Sequence, residues 1–99
     1  MKLPIHYPAA SQFVRRLARE EYVRRQNGRC FYCGKLFTEK PDIDLDTEAA
    51  LILSEKGQGP FPKGFLNAPI HLDHDHETGL TRGAVHGYCN AVSWVREGK

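Results

Sequence analysis

Cysteine is scarce in this sequence, and long apolar runs are missing. Three cysteines cannot all pair with one another, so a disulfide framework would leave an odd thiol. The N-terminus, MKLPIHYPAA, has no apolar stretch of the secretory kind. Nowhere does the chain approach the roughly 20 apolar residues of a membrane span. These absences point to a reducing, cytoplasmic setting with no membrane partner, in which cysteines serve as metal ligands. Repeats and low-complexity segments are absent too. The 99 residues read as a single domain, and a chain of this size buries only about 60–65% of its unfolded surface. A bound metal commonly supplements so thin a core.

Net charge is low as well, at +2, too weak to argue for a nucleic-acid partner. Its distribution says more. Five arginines (Arg15, Arg16, Arg19, Arg24 and Arg25) fall between Ser11 and Asn27, whereas Asp42, Asp44, Asp46 and Glu48 gather further on. A basic face of this kind can follow a phosphate backbone. A solvated helix surface accounts for the same arginines, and charge alone does not separate the two.

Residues 1–8, with Pro4 and Pro8, read as an extended arm. Over about 9–27, Phe13, Val14, Leu17, Ala18 and Tyr22 recur at helical spacing and predict a basic helix with one apolar stripe, the arginines lying mainly off it. Ser11 fits an N-cap if the helix begins late, and Asn27-Gly28 is a C-terminal stop because both residues tolerate positive φ. Cys30-Phe31-Tyr32-Cys33-Gly34 follows, a tight knuckle able to aim two sulfurs at one ion. A redox CxxC usually sits between a strand and a helix of a thioredoxin-like unit. Here a helix precedes it and no such unit is visible, so the metal reading is preferred.

Residues 35–67 read as an insertion between two halves of a metal site. DIDLD invites comparison with a calcium loop, but a loop starting at Asp42 puts Thr47 at the glycine position and Leu53 at the bidentate glutamate position. That reading fails, and the acidic residues are expected to be solvated. TEAALIL fits either a helix turn or a strand over the core, and GQGPFPKG is a loop. From about 68 to 97 the pattern is strand, turn, strand, helix. Pro69–Asp75 and Thr81–Val85 form the strands, Glu77-Thr78-Gly79 the turn, and 90–97 a short helix burying Trp94.

Two constellations follow. His86-Gly87-Tyr88-Cys89 repeats the knuckle's spacing, so Cys30, Cys33, His86 and Cys89 make a Cys3His set suited to a structural zinc ion, and no cysteine is left over. Binding of this kind is worth on the order of 10 kcal/mol, comparable with the stability of a whole domain. The second constellation is Asp73, His74, His76 and Asn90. Crowded carboxylates and imidazoles can hold a divalent cation and move a proton beside it. Regular alternation sends Asp73 and His74 to opposite faces, so both serve one site only if the strand ends or twists there. His71 and Asp75 are candidates for supporting roles. Arg82 could meet a phosphate or simply face solvent.

LDHDHETGLTRG followed by HGYCN, with CFYCG upstream, resembles the phage recombination endonuclease VII group of His-Me finger (HNH-type, ββα-metal) nucleases. The resemblance implies a small α+β, zinc-stabilised ββα-metal domain with the basic helix at its N-terminal side. It implies that Asp73 and Asn90 hold one catalytic Mg²⁺ or Mn²⁺, that His74 is the general base, and that His76 contacts the scissile phosphate or helps the leaving group. The two CxxC-like pairs would hold zinc, and DNA would be the substrate in the host cytoplasm if the chain is phage-encoded. Homodimerisation is left open. This chain departs from the family in having His86 where cysteine is usual, and Ser93 where the family's junction resolvase carries an acidic residue. A DNA endonuclease is the leading reading. The alternative is a non-catalytic zinc module binding nucleic acid through its arginine helix; a zinc hydrolase for a small substrate would lack a closed pocket.

Overall fold

A computed structural model describes residues 1–97. Among these, the chain forms helix α1 (Gln12–Arg25), helix α2 (Leu45–Glu55), strands β1 (Ile70–His74) and β2 (Thr81–His86), and helix α3 (Gly87–Glu97). The strands pair antiparallel as one two-stranded sheet. This is the α+β arrangement expected from the sequence, with the basic helix ahead of a ββα unit. No helix among the described residues is long and apolar enough to cross a membrane.

α1 starts late because Ser11 caps it, its Oγ accepting from the Val14 N–H at 3.1 Å. It stops where Asn27 (φ 56°) and Gly28 (φ 71°) enter the left-handed region and the Gly28 N–H returns to the Val23 carbonyl at 2.9 Å. Its apolar stripe is narrower than the spacing implies. Ala18 is buried and Val14 and Tyr22 are half-buried, whereas Phe13 and Leu17 are 60% and 38% exposed. The ridge Val14–Ala18–Tyr22 faces the sheet, and Arg15 and Arg19 beside it are half-buried rather than turned outward. The Tyr22 hydroxyl and Thr81 Oγ1 lie 2.8 Å apart. At the end of α1, Gln26 binds both backbone groups of Ala84 in β2, donating to its carbonyl at 2.9 Å and accepting from its N–H at 3.0 Å.

Segment 35–67 is more ordered than its composition suggests, because it holds α2. Asp44 caps that helix, accepting from the Thr47 N–H at 2.7 Å, and Asp46 and Glu48 occupy its first turn, where the helix dipole favours negative charge. The acidic run is therefore a helix-start signal as well as a solvated one. Leu51 of α2 joins Phe61 and Ala91 in a buried cluster flanked by Phe65, Tyr88 and Trp94. A second cluster gathers Cys30, Val85 and Cys89 against Phe37. α3 contributes to both, so the insertion supports the same helix that carries part of the site.

One polar contact fastens the insertion. The buried Ser54 hydroxyl donates to the Ala50 carbonyl at 2.7 Å and accepts from the Phe61 N–H at 3.0 Å. Replacing it leaves a buried amide unpaired, which costs about 1–3 kcal/mol. Ser54→Ala is expected to lower the unfolding free energy by that amount in a urea titration, with an unchanged m-value.

Candidate active site and metal centre

The metal centre is built by three local devices. Gly34 (φ 74°) lets the chain after Cys33 turn back, with the Gly34 N–H on the Cys30 carbonyl at 3.0 Å and the Cys30 N–H on the Lys35 carbonyl at 2.9 Å. The amides of Tyr32 and His86 point at Cys30 Sγ and that of Lys35 at Cys33 Sγ, each at 3.4 Å. β2 delivers His86, and Cys89 sits in the first turn of α3.

The four donor atoms of Cys30, Cys33, His86 and Cys89 all lie within 4.8 Å of one another. His86 Nδ1 is 3.4 Å from Cys33 Sγ and 3.8 Å from Cys89 Sγ. A tetrahedron with zinc–sulfur bonds of about 2.3 Å and a zinc–nitrogen bond of about 2.0 Å has S···N edges near 3.5 Å, so the donor set fits zinc. His86 Nε2 lies 3.0 Å from the Leu36 carbonyl; donation there frees Nδ1 to bind metal and fixes the ring. The Cys30 thiol is pushed down to about 4, first by a hydrogen bond from Cys89 and then by backbone amides, while Cys89 is pushed up by the same contact.

The second constellation meets at one cleft of about 730 Å³, lined by Asp73, His74, His76 and Asn90 on the ββα side and by Arg15, Arg16 and Arg19 of α1 opposite. Alternation would have parted Asp73 from His74. Both line the cleft nonetheless, at the end of β1 where the ladder turns irregular. Asp73 faces Gly83 but His74 faces Thr81, so Arg82 is left without a cross-strand partner and the strand twists. Arg82 reaches back instead, its Nε 2.9 Å from Asp73 Oδ2 and its Nη2 3.3 Å from the His74 carbonyl. The Tyr32 hydroxyl donates to the same Oδ2. Asp73 is only 3% exposed, and both partners engage one of its oxygens, which leaves Oδ1 for a cation. Burial, then the Asp73 carboxylate, pushes the Tyr32 phenol up to about 12, so it remains a donor.

Asn90 is oriented by His71. His71 Nε2 lies 2.9 Å from the Phe65 carbonyl and must carry its proton there; Nδ1 is then a lone pair, and Asn90 Nδ2 donates to it at 3.1 Å. The Asn90 carboxamide oxygen is the end left over. Burial holds His71 below the usual imidazole range, which favours this neutral form. Asp75 closes the hairpin, accepting from the Glu77 and Thr78 amides at 2.7 and 3.0 Å; its role is structural.

His74 is held differently. Its ring stacks on Tyr7 (4.0 Å between centroids, 5° between planes) and on His76 (4.7 Å, 18°), and His76 meets Trp94 edge-on at 5.8 Å. Burial, followed by the proximity of His76, holds its pKa below the usual value. Sequence reasoning missed Tyr7 and Tyr32 altogether, since nothing in local spacing marks a residue that reaches a site by tertiary packing.

Residues 62–97 match the recombination endonuclease VII family. The match spans β1, β2 and α3 and includes His86 and Cys89, while α1, α2 and the Cys30–Cys33 knuckle lie outside it. It supports the likeness carried by LDHDHETGLTRG and HGYCN. No curated protein and no solved structure matches the chain.

Because the Cys3His group ties the knuckle to β2 and α3, removing its ion should unfold the domain. One zinc per chain is expected by elemental analysis. Excess chelator or Cys89→Ser is expected to abolish both the zinc and the cooperative thermal transition.

Proposed function

We propose that this protein is a metal-dependent DNA endonuclease that hydrolyses phosphodiester bonds, with zinc as a structural ion and His74 as the general base. The observation that carries the reading is the cleft, in which an acid, an amide and two imidazoles face three arginines of α1. An anionic backbone suits the arginine wall, and the opposite side holds groups able to activate water.

Asp73 Oδ1 and the Asn90 carboxamide oxygen would hold Mg²⁺ or Mn²⁺; hard oxygen donors suit such an ion, and one carboxylate plus one amide leaves positions open for phosphate and water. When bound, that ion supplies Lewis-acid stabilisation of the charge developing on the phosphate and the leaving 3′-oxygen. His74 accepts the proton of the attacking water at a ring nitrogen. Both its nitrogens are unengaged among the described residues, and its lowered pKa keeps it neutral at pH 7. His76, exposed beside it, would contact the scissile phosphate or assist the leaving group. Arg15, Arg16 and Arg19 hold flanking phosphates.

His74→Ala is expected to lower Mg²⁺-dependent plasmid nicking by about 10²–10⁴-fold while zinc content and DNA binding persist. Full activity in that variant would overturn the assignment. A wild-type protein that binds DNA but cuts none of linear, supercoiled and four-way-junction substrates with Mg²⁺ or Mn²⁺ would favour a binding module instead. Since His74 works as a base only when neutral and its pKa is lowered, cleavage should hold its plateau through pH 7 and fall only at a pH below the ordinary imidazole range. Arg19→Gln should reduce the slope of log affinity against log salt by about 1.

A further inference from the structure

Of the three histidines on the two strands, two have their rings fixed by hydrogen bonds. His86 uses Nε2 on the Leu36 carbonyl and faces the thiols with Nδ1. His71 spans the Phe65 carbonyl and Asn90. His74 has no such anchor, for neither of its ring nitrogens makes a hydrogen bond among the described residues. An imidazole is otherwise free to swing about χ2, a broad torsion. A general base needs an aimed lone pair, so something must fix the plane of this ring without consuming its nitrogens. Face-to-face contact does this, and the closest and most parallel face belongs to Tyr7, 4.0 Å away at 5°.

Tyr7 is itself held on several sides. The N-terminal arm runs beside the hairpin: the Tyr7 N–H donates to the Gly79 carbonyl at 2.8 Å, the Thr81 N–H donates to Ile5 at 3.0 Å, and the Ile5 N–H donates to Thr81 Oγ1 at 3.0 Å. Arg15 grips it from α1, with Nε 2.9 Å from the Tyr7 carbonyl and its guanidinium carbon 4.0 Å from the ring centroid. The hairpin end that carries His74 and the helix that walls the cleft thus both fix the same tyrosine.

We infer that Tyr7, on the N-terminal arm, is a positioning residue for His74: its ring sets the plane of the imidazole and so aims the basic nitrogen into the cleft. This rests on the reading of His74 as the base. The aromatic face is what matters, since no hydrogen bond of the Tyr7 hydroxyl exists among the described residues. The arm lies outside the segment that matches the nuclease family.

The test compares Tyr7→Phe, Tyr7→Leu and His74→Ala in full-length, zinc-loaded protein. Plasmid nicking with Mg²⁺ gives kcat and KM, thermal melts and zinc content report folding, and NMR of the ring protons reports the His74 environment. Tyr7→Leu is expected to lower kcat by about 10- to 100-fold, the scale of a misaimed catalytic group. KM for DNA should change less than about threefold, zinc content should hold, and the His74 proton signals should move downfield as the ring current is lost. Tyr7→Phe is expected to restore kcat to within about twofold. Tyr7→Leu added to His74→Ala is expected to cost nothing further, since its effect runs through that imidazole. Wild-type kcat in Tyr7→Leu, with His74→Ala inactive, overturns the positioning role alone. Failure of Tyr7→Phe to restore kcat, or a further loss in the double variant, also overturns it. Activity in His74→Ala overturns the base assignment and this inference together. If Tyr7→Leu loses zinc or melts early, Tyr7→His, which keeps a flat ring, decides: no recovery of kcat in a folded variant overturns the inference.

Discussion

A four-donor cluster of three sulfurs and one imidazole nitrogen holds the rest of this domain in place. Buried apolar side chains fall into two small groups, and neither alone would fix a knuckle near residue 30 against a strand near residue 85. The Cys3His group does so, because its four donors come from three separate local devices: a glycine-closed turn that supplies Cys30 and Cys33, the end of β2 and the first turn of α3. Asn90 follows Cys89 directly, so the same clamp sets where the carboxamide can reach. The distance from metal centre to cleft is one residue of helix.

Around that clamp the histidines divide by what their nitrogens touch. His86 and His71 have both nitrogens committed, one pair to a carbonyl and the thiols, the other to a carbonyl and Asn90. His74 has neither nitrogen engaged among the described residues, and its ring stacks on those of Tyr7 and His76. On the proposed reading, chemically identical side chains on one short sheet are thereby separated into ligand, orienter and base. Position along the strand alone does not predict this; the partner of each ring nitrogen does.

Much of this was legible in the sequence wherever the determinants were local. The two-residue spacings of Cys30–Cys33 and His86–Cys89 implied one ion, and the structure brings those donors together. Ser11 and Asn27-Gly28 marked the ends of α1. Asp44 carries a helix-start signal that the sequence does not separate from solvated charge, because a cap is recognisable only when the following helix is, and TEAALIL is short. The exposure of Phe13 and Leu17 was hidden for another reason: periodicity gives the width of an apolar face, not the size of the surface available to cover it. A two-stranded sheet covers only the Val14–Ala18–Tyr22 ridge. Tyr7, Tyr32 and the pairing of Arg82 with Asp73 depend on contacts between distant segments, which no local pattern encodes.

The register slip between Asp73 and His74 links these observations. A buried carboxylate needs a counter-charge and hydrogen-bond donors, or burial would drive it to its neutral form. In a regular ladder Arg82 would be paired across the strand with its side chain on a fixed face. Skipped by the slip, it is free to fold back onto Asp73 Oδ2 and the His74 carbonyl. The irregularity beside Asp73 and His74 therefore also lets a guanidinium sit against the buried Asp73 carboxylate. Gly83, next in the chain, sits under Phe31 and Gln26 so closely that a Cβ there would lie 2.9–3.0 Å from their atoms. A side chain at that position would push the strand away from the knuckle and α1 just where the slip must be held. The sequence Thr81-Arg82-Gly83 thus joins a hydroxyl that binds the arm, a cation for the buried acid and a gap for close packing, and a regular strand of the same length would provide none of the three together.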